Sequence, residues 1–412
     1  MFSLLIFCRI FDIICDMKLK ILLLAAVAMS LVTNGAPKKG GGNKPAKAAA
    51  SKQEVLWKAG DGGINTYRIP ALCMAPDGKT MVAACDARED HLHDLNRKGG
   101  PKQDYQRINI AIRTSKDGGK TWTPSVYSHE WKWDGAEKWA GSDPSFAVDE
   151  KGKKIFLFYN VAEYVKEAGI YKQYVQESAD NGKTWSEPRD ITADIRPQGW
   201  PAKGFVFVTS GSGMQTKEGI ILHTIVWVGK QVALFGSEDG GATWKAYGKP
   251  TQDPGDECKV VELSDGRLMI NSRKAAGARE IFVSEDKGEN WYHNSDKSLN
   301  DGACNAQIMT YPLGKKYAGK KIGPVKYPNE ILIFSNCNAG GRSNLTLRTS
   351  WDDGESWSEG IVIEPGKASY SDLCLIPSKM KGNPPDVGVI FEGSGERDIR
   401  FCTIKAQEVI KK

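Results

Sequence analysis

An all-β protein, a six-bladed β-propeller, is the fold class this sequence predicts, and three observations predict it. The pattern Ser-x-Asp-x-Gly-x-(Thr/Ser/Asn)-Trp occurs five times in the 412 residues. Successive copies are 63, 59, 47 and 66 residues apart, tryptophan to tryptophan. Between them lie short β-rich runs bounded by Gly, Asp and Asn, such as 154–159, 219–223, 267–271 and 330–334, with no long amphipathic helix. A repeat of this length made of short strands suggests one four-stranded blade per copy. Six such blades fill the 359 residues from Glu54 to Lys412.

The copies read Ser115…Asp117…Gly119…Trp122, Ser178…Asp180…Gly182…Trp185, Ser237…Asp239…Gly241…Trp244, Ser284…Asp286…Gly288…Trp291 and Ser350…Asp352…Gly354…Trp357. An Asp followed by glycine makes a tight turn in which the carboxylate accepts from nearby backbone N–H groups. The glycine takes up the positive φ that other residues resist. The tryptophan covers the turn with a large apolar ring. These motifs are therefore staples that hold blades together and touch no substrate.

The N-terminus lies outside the repeats. Residues 1–36 form a signal region, with Met17 expected as the true start. Met17-Lys18-Leu19-Lys20 supplies a basic segment and Ile21 to Val32 a short apolar one. That run is too short to span a bilayer, so no membrane insertion is expected after processing. Residues 37–53 are Lys, Gly, Ala and Pro with little else and predict a disordered linker. The propeller is assigned to 54–412. The chain has 56 basic and 50 acidic residues, a net charge of +6. Five lysines of the linker (Lys38, Lys39, Lys44, Lys47 and Lys52) supply most of that excess. The basic balance thus belongs to the tail and does not argue for nucleic-acid binding. Seven cysteines lie beyond the signal region, an odd and scattered set that fits core positions better than a disulfide framework. Asp90-His91-Leu92-His93-Asp94 has metal-ligand residue types but nothing distant to complete a site, so no metal is expected. No phosphate-binding glycine pattern stands out, and no cofactor is expected.

Four segments stand apart from the staples: Tyr67-Arg68-Ile69-Pro70, Glu257 to Glu262 with Asn271-Ser272-Arg273, Gly341-Arg342-Ser343-Asn344, and Ser369-Tyr370-Ser371-Asp372. Together with the Asp turns this set resembles the bacterial and animal sialidases, from about residue 54 to the end of the chain. The resemblance implies an active site at one end of the propeller channel. The implied substrate is terminal sialic acid in glycoproteins, glycolipids or oligosaccharides.

The role that the resemblance implies for each residue suits the chemistry of that sugar. Arg68, Arg273 and Arg342 match the three arginines that clamp the substrate carboxylate, for which guanidinium is suited by its permanent charge and planar fork. Three converging cations repel one another unless an anion sits between them. Tyr370 matches the nucleophile, and Glu257 the base that activates it, with Glu262 as competitor. A neutral phenol avoids the repulsion a carboxylate would meet at a carbon that bears its own carboxylate, but its pKa near 10 requires a base. Asp104 is the expected acid/base, with Asp90 and Asp94 in the same loop as alternatives. Arg88 and Asp143 match positions that contact the hydroxyl at carbon 4 of the sugar. Trp200 stands as a candidate wall for an acetamido pocket, and Trp131, Trp133 and Trp139 as a platform for the rest of the glycan. Packing is the plainer role for all four.

The implied activity is a secreted, periplasmic or cell-surface exo-α-sialidase, retaining and monomeric. A trans-sialidase would share every residue named. A binding propeller without turnover needs the arginines but not an activated phenol. Another glycosidase on this scaffold would need paired carboxylates and no arginine cluster.

Overall fold

The computed structural model describes residues 52–89, 107–135, 137–164, 170–274, 277–322 and 325–411. The signal region, nearly all of the linker, Asp90, His91, His93, Asp94 and Asp104 fall outside these residues. The blades belong to a compact unit of Lys47–Lys412.

Among the described residues, six mainly antiparallel sheets of four or more strands succeed one another around a ring, with one two-stranded ribbon besides. The first blade is Thr66–Met74, Met81–Arg88, Ile108–Ser115 and Val126–Tyr127. Later blades open with Glu137–Asp149, Val206–Val208, Cys258–Glu262, Gln307–Pro312 and Ser371–Ile376 as their first strands. The sixth blade is completed by the N-terminal strand: Glu54–Lys58 pairs antiparallel with Asp398–Ile404. The α-helices among the described residues are three four-residue turns.

The second strands of the blades are largely apolar on both faces because both faces are buried. In Lys154–Glu163, Phe156 and Phe158 pack toward the third blade, while Ile155, Leu157 and Tyr159 pack toward the first. Side chains alternate across a strand, so one run feeds two seams. Each of the six seams between neighbouring blades holds its own buried cluster.

All five Asp turns begin at the last residue of a blade's third strand. In the first, Asp117 Oδ1 accepts from the N–H groups of Lys120 and Thr121 at 3.0 Å, and Oδ2 accepts from Thr121 Oγ1 at 2.6 Å. Ser115 Oγ accepts from Gly119 N–H at 3.0 Å. The Thr121 hydroxyl and these backbone donors lower the Asp117 pKa to about 2. The glycine of the turn is also where a blade meets its predecessor in the ring. A Cβ at Gly119 would run into the Phe401 ring of the sixth blade. One at Gly182 would meet Val82, one at Gly241 Phe156, and one at Gly354 Met269, each in the preceding blade. The staples therefore act between blades as well as within them.

All seven cysteines of the propeller are buried and free. Between Ser371–Ile376 and the other inner strands, the channel is plugged by polar groups. Asp372, fully buried, accepts from Leu72 N–H at 2.8 Å and from Ser212 Oγ at 2.7 Å. Burial raises its pKa to about 6. Lys259, equally buried, donates to Asn305 Oδ1 at 2.7 Å, and burial lowers its pKa to about 8.

Gly118 and Gly119 both have positive φ, but only Gly119 touches another blade. Gly118→Ala is expected to cost about 1 kcal/mol through φ alone. Gly119→Ala should cost about 1–3 kcal/mol more, because Phe401 must move. Urea midpoints of the two variants measure the difference; equal losses would remove the blade-to-blade role of the turn.

Candidate active site

The strand directions decide where the site lies. First strands run away from one end of the channel, second strands return to it, and third strands leave it again. Arg68 lies at the start of a first strand, Glu257 and Tyr370 just before first strands, Arg88 at the end of a second strand, Arg273 just after one, and Arg342 just before a third. All therefore gather at one end, and the Asp turns sit at the other.

These residues line one cleft of about 420 Å³, together with Asp143, Asp256, Tyr164, Tyr171, Phe205 and Phe207. A larger, more apolar cavity of about 490 Å³ opens elsewhere in the ring and contains none of the three arginines, Glu257 or Tyr370. The polar cleft is the candidate site because convergent charged groups, not volume, give it chemistry.

Tyr370 Oη donates to Glu257 Oε1 at 2.6 Å. Arg273 Nη1 donates to Glu257 Oε2 at 2.5 Å and to Tyr370 Oη at 3.1 Å. Tyr370 and Glu257 are both buried. Burial first, and then the Glu257 carboxylate, push the phenol pKa well above its usual value. The resting phenol is thus neutral, with a carboxylate in place to take its proton and a guanidinium beside the oxygen that would become charged. Glu262, the competing base, lies at the far end of the same strand and accepts from Lys217 N–H at 2.7 Å.

Arg68 and Arg342 both lie over the Tyr370 ring, their Cζ atoms 5.6 and 5.4 Å from its centroid. Arg68 is held by a carboxylate that sequence reasoning missed. Its Nε and Nη2 donate to the two oxygens of Glu392 at 2.9 and 3.0 Å. Glu392 is fully buried and also accepts from Ile69 N–H at 2.8 Å and Tyr370 N–H at 3.2 Å. Burial alone would raise its pKa, but Arg68 and the two N–H groups outweigh it and hold the carboxyl below its usual value. The signal was present in Asp386–Gly393, a core strand with one carboxylate, Glu392, in an otherwise apolar run next to its end.

Backbone irregularities aim these groups. Ile69 has φ 58°, and the pairing of Thr66–Met74 with its neighbour slips between Arg68 and Ala71. A β-branched residue at positive φ is strained, and such strain gathers at functional sites. The slip lets Arg68 and the Ile69 N–H reach the same carboxylate. Asp143 repeats the device: its φ is 60°, the register shifts between Ser142 and Ser145, and its N–H donates to Asp86 Oδ1 at 2.8 Å. Asp86 Oδ2 accepts from Arg88 Nη2 at 2.7 Å. One buried carboxylate, also missed, thus positions both residues expected to face carbon 4. Removal from water, with the Asp86 charge nearby, raises the Asp143 pKa to about 7.

The tryptophan candidates pack instead of lining the cleft. Trp200 is nearly buried and donates to Gln231 Oε1 at 3.1 Å. Trp131 stacks with Trp139 at 6.1 Å. Trp133 meets the edge of Tyr164, and it is Tyr164 that reaches the cleft.

Residues 96–379 match the BNR repeat-like domain. A sialidase of Micromonospora viridifaciens is 32% identical over 409 residues, covering 92% of this chain and 58% of that protein. A sialidase of Bacteroides fragilis is 26% identical, covering 86% of this chain and 64% of that protein. The chain thus spans less than two thirds of the length of either relative. Among solved structures, the Hadza microbial sialidase Hz136 superposes with a TM-score of 0.72 at 25% identity, over 87% of this chain and 69% of that one. The leech intramolecular trans-sialidase shares the fold, with a TM-score of 0.64 at 18% identity over 87% of this chain and 71% of that one. Since the domain match takes in well over half of the residues, the chain belongs to the BNR-repeat sialidase family.

Proposed function

We propose that this protein hydrolyses terminal α-linked sialic acid from glycans, with retention, using Tyr370 as nucleophile. The observation that carries the reading is the Tyr370–Glu257–Arg273 contact set beside two further arginines. Arg68, Arg273 and Arg342 bind the sugar carboxylate. As Tyr370 Oη bonds to the anomeric carbon, its proton passes to Glu257 and the glycosidic bond breaks. The departing oxygen takes a proton from an acid, the role assigned to Asp104, with Asp90 and Asp94 as alternatives. Water, deprotonated by the same group, then attacks the anomeric carbon and Tyr370 leaves with its proton returned. Two inversions give net retention. Arg88 and Asp143 face the hydroxyl at carbon 4. The basic and apolar leader over residues 17–32 supports export of the protein.

Several groups fit this chemistry better than a binding role. A lectin needs cations for the carboxylate but has no use for a phenol hydrogen-bonded at 2.6 Å to a buried carboxylate. Release of methylumbelliferone from its α-sialoside tests the reading. The parent should turn over, and Tyr370→Phe should lose at least about 10³-fold in kcat. Glu257→Gln should lose about 10²–10⁴-fold, the range of a general base. A parent that binds sialic acid without releasing fluorophore would make the protein a binder. Free sialic acid as the product supports hydrolysis, whereas an anhydro sugar would show transfer within the substrate.

Asp143 gives a pH prediction with a definite sign. An unfolded Asp releases its proton near about pH 4, whereas folded Asp143 keeps it to about 7. Between these values the native state binds more protons, so this group makes stability fall as pH rises from about 4 to about 7. Asp143→Asn removes that dependence. Its melting temperature should therefore gain on the parent's across this window; a constant gap would mean the carboxyl ionises normally.

A further inference from the structure

Arg68 and Arg342 each have one corner tied to the scaffold. In Arg68, Nε and Nη2 are on Glu392. In Arg342, Nη2 donates to Ala303 O at 3.2 Å. The remaining corner of each, Nη1, meets the same side chain. Glu396 Oε2 lies 3.1 Å from Arg68 Nη1, and Glu396 Oε1 accepts from Arg342 Nη1 at 2.5 Å. A carboxylate of the protein thus bridges two of the three arginines, one oxygen to each.

Glu396 sits on a turn unlike the core strands beside it. It joins Asp386–Gly393 to Asp398–Ile404, and Ser394, Gly395 and Glu396 have φ 48°, 70° and 72° in succession. Two of these are not glycine, so the turn is strained. Its side chain is 26% exposed, whereas that of Glu392 is fully buried. Glu392 is built in, with both oxygens committed to Arg68 and two backbone N–H groups. Among the described residues, the Glu396 carboxylate has no comparable ties beyond the two guanidiniums.

We propose that Glu396 is an internal stand-in for the substrate carboxylate. It bridges Arg68 and Arg342 before substrate arrives, offsets their mutual repulsion, and is displaced when a carboxylated sugar binds. The same two guanidinium corners serve both anions in turn. Binding then exchanges one carboxylate for another without leaving the cations unpaired, and the exchange weakens apparent affinity by the strength of the internal bridge. The proposal rests on the reading of Arg68 and Arg342 as carboxylate-binding groups.

Glu396→Gln keeps the shape and removes the charge. With the α-sialoside, KM should fall roughly tenfold while kcat stays within about twofold, and calorimetry with free N-acetylneuraminic acid should show the same gain. Glu396→Asp, one methylene shorter, should fall between Gln and the parent. Melting temperatures check that each variant folds. A rise in KM and in the dissociation constant would overturn the proposal and make Glu396 a group the arginines need for positioning. No change in either would place it outside the path of the substrate carboxylate. If the parent neither turns over nor binds the sugar, the functional reading fails separately. The stand-in is then judged with acetate alone: greater thermal stabilisation of Glu396→Gln than of the parent supports it, and equal stabilisation overturns it.

Discussion

Glu54–Lys58 pairs with Asp398–Ile404, so the start and the end of the propeller meet in one sheet. The cleft exists only once that sheet closes the ring, because it draws Arg68 from the first blade, Glu257 and Arg273 from the fourth, Arg342 from the fifth and Tyr370 from the sixth. The closing strand has a strong reason to stay. Trp57 is buried and donates its indole N–H to Ser125 Oγ at 2.9 Å, while Leu56 enters the seam between the sixth and first blades. The cost of joining residues more than three hundred positions apart is entropic and grows slowly with separation. The apolar area buried in six seams works against it.

Electrostatics sets the terms inside the cleft. Three guanidiniums gather within reach of one tyrosine ring, and each is answered by carboxylates of a different kind. Glu392 is a fixed anchor, buried and saturated with donors. Glu257 is shared between Arg273 and the Tyr370 hydroxyl, one oxygen accepting from each. Glu396 is the most exposed of the three, at the tip of a strained turn. This range, from the buried Glu392 to the partly exposed Glu396, would suit the carboxylated ligand proposed for the site. The cations must be held in place before the ligand arrives, yet remain open to it.

Non-glycine residues at positive φ occur at both ends of the ring, with Asn181, Lys287 and Asp353 inside Asp turns far from the cleft. Ile69, Asp143, Ala303 and Asn344 all have positive φ, and all lie beside a functional group or carry one. The regular hydrogen bonding of the blades over-determines these positions, which is how unfavourable dihedrals persist. A bulge in a strand re-aims one side chain without disturbing the next blade.

Much of this was legible in the linear chain. Five Asp turns implied repeated hairpins, and their spacing implied six blades, because a turn of this kind is a local device built from contiguous residues. The arginines, Tyr370 and Glu257, which the structure gathers in one cleft, were singled out because each sits in a short segment that matches a family motif. Glu392, Glu396 and Asp86 were not found, since their roles lie in partners far along the chain: Glu392 acts on Arg68, and Asp86 on Asp143. Nor did the residues themselves show that Trp200, Trp131 and Trp139 pack rather than line the cleft, for an aromatic ring is equally suited to either. Local turn chemistry and strand patterning, which depend on neighbours in the chain, were determined by the sequence alone. Which carboxylate faces which arginine was decided only when the ring closed, because that pairing depends on distance in space.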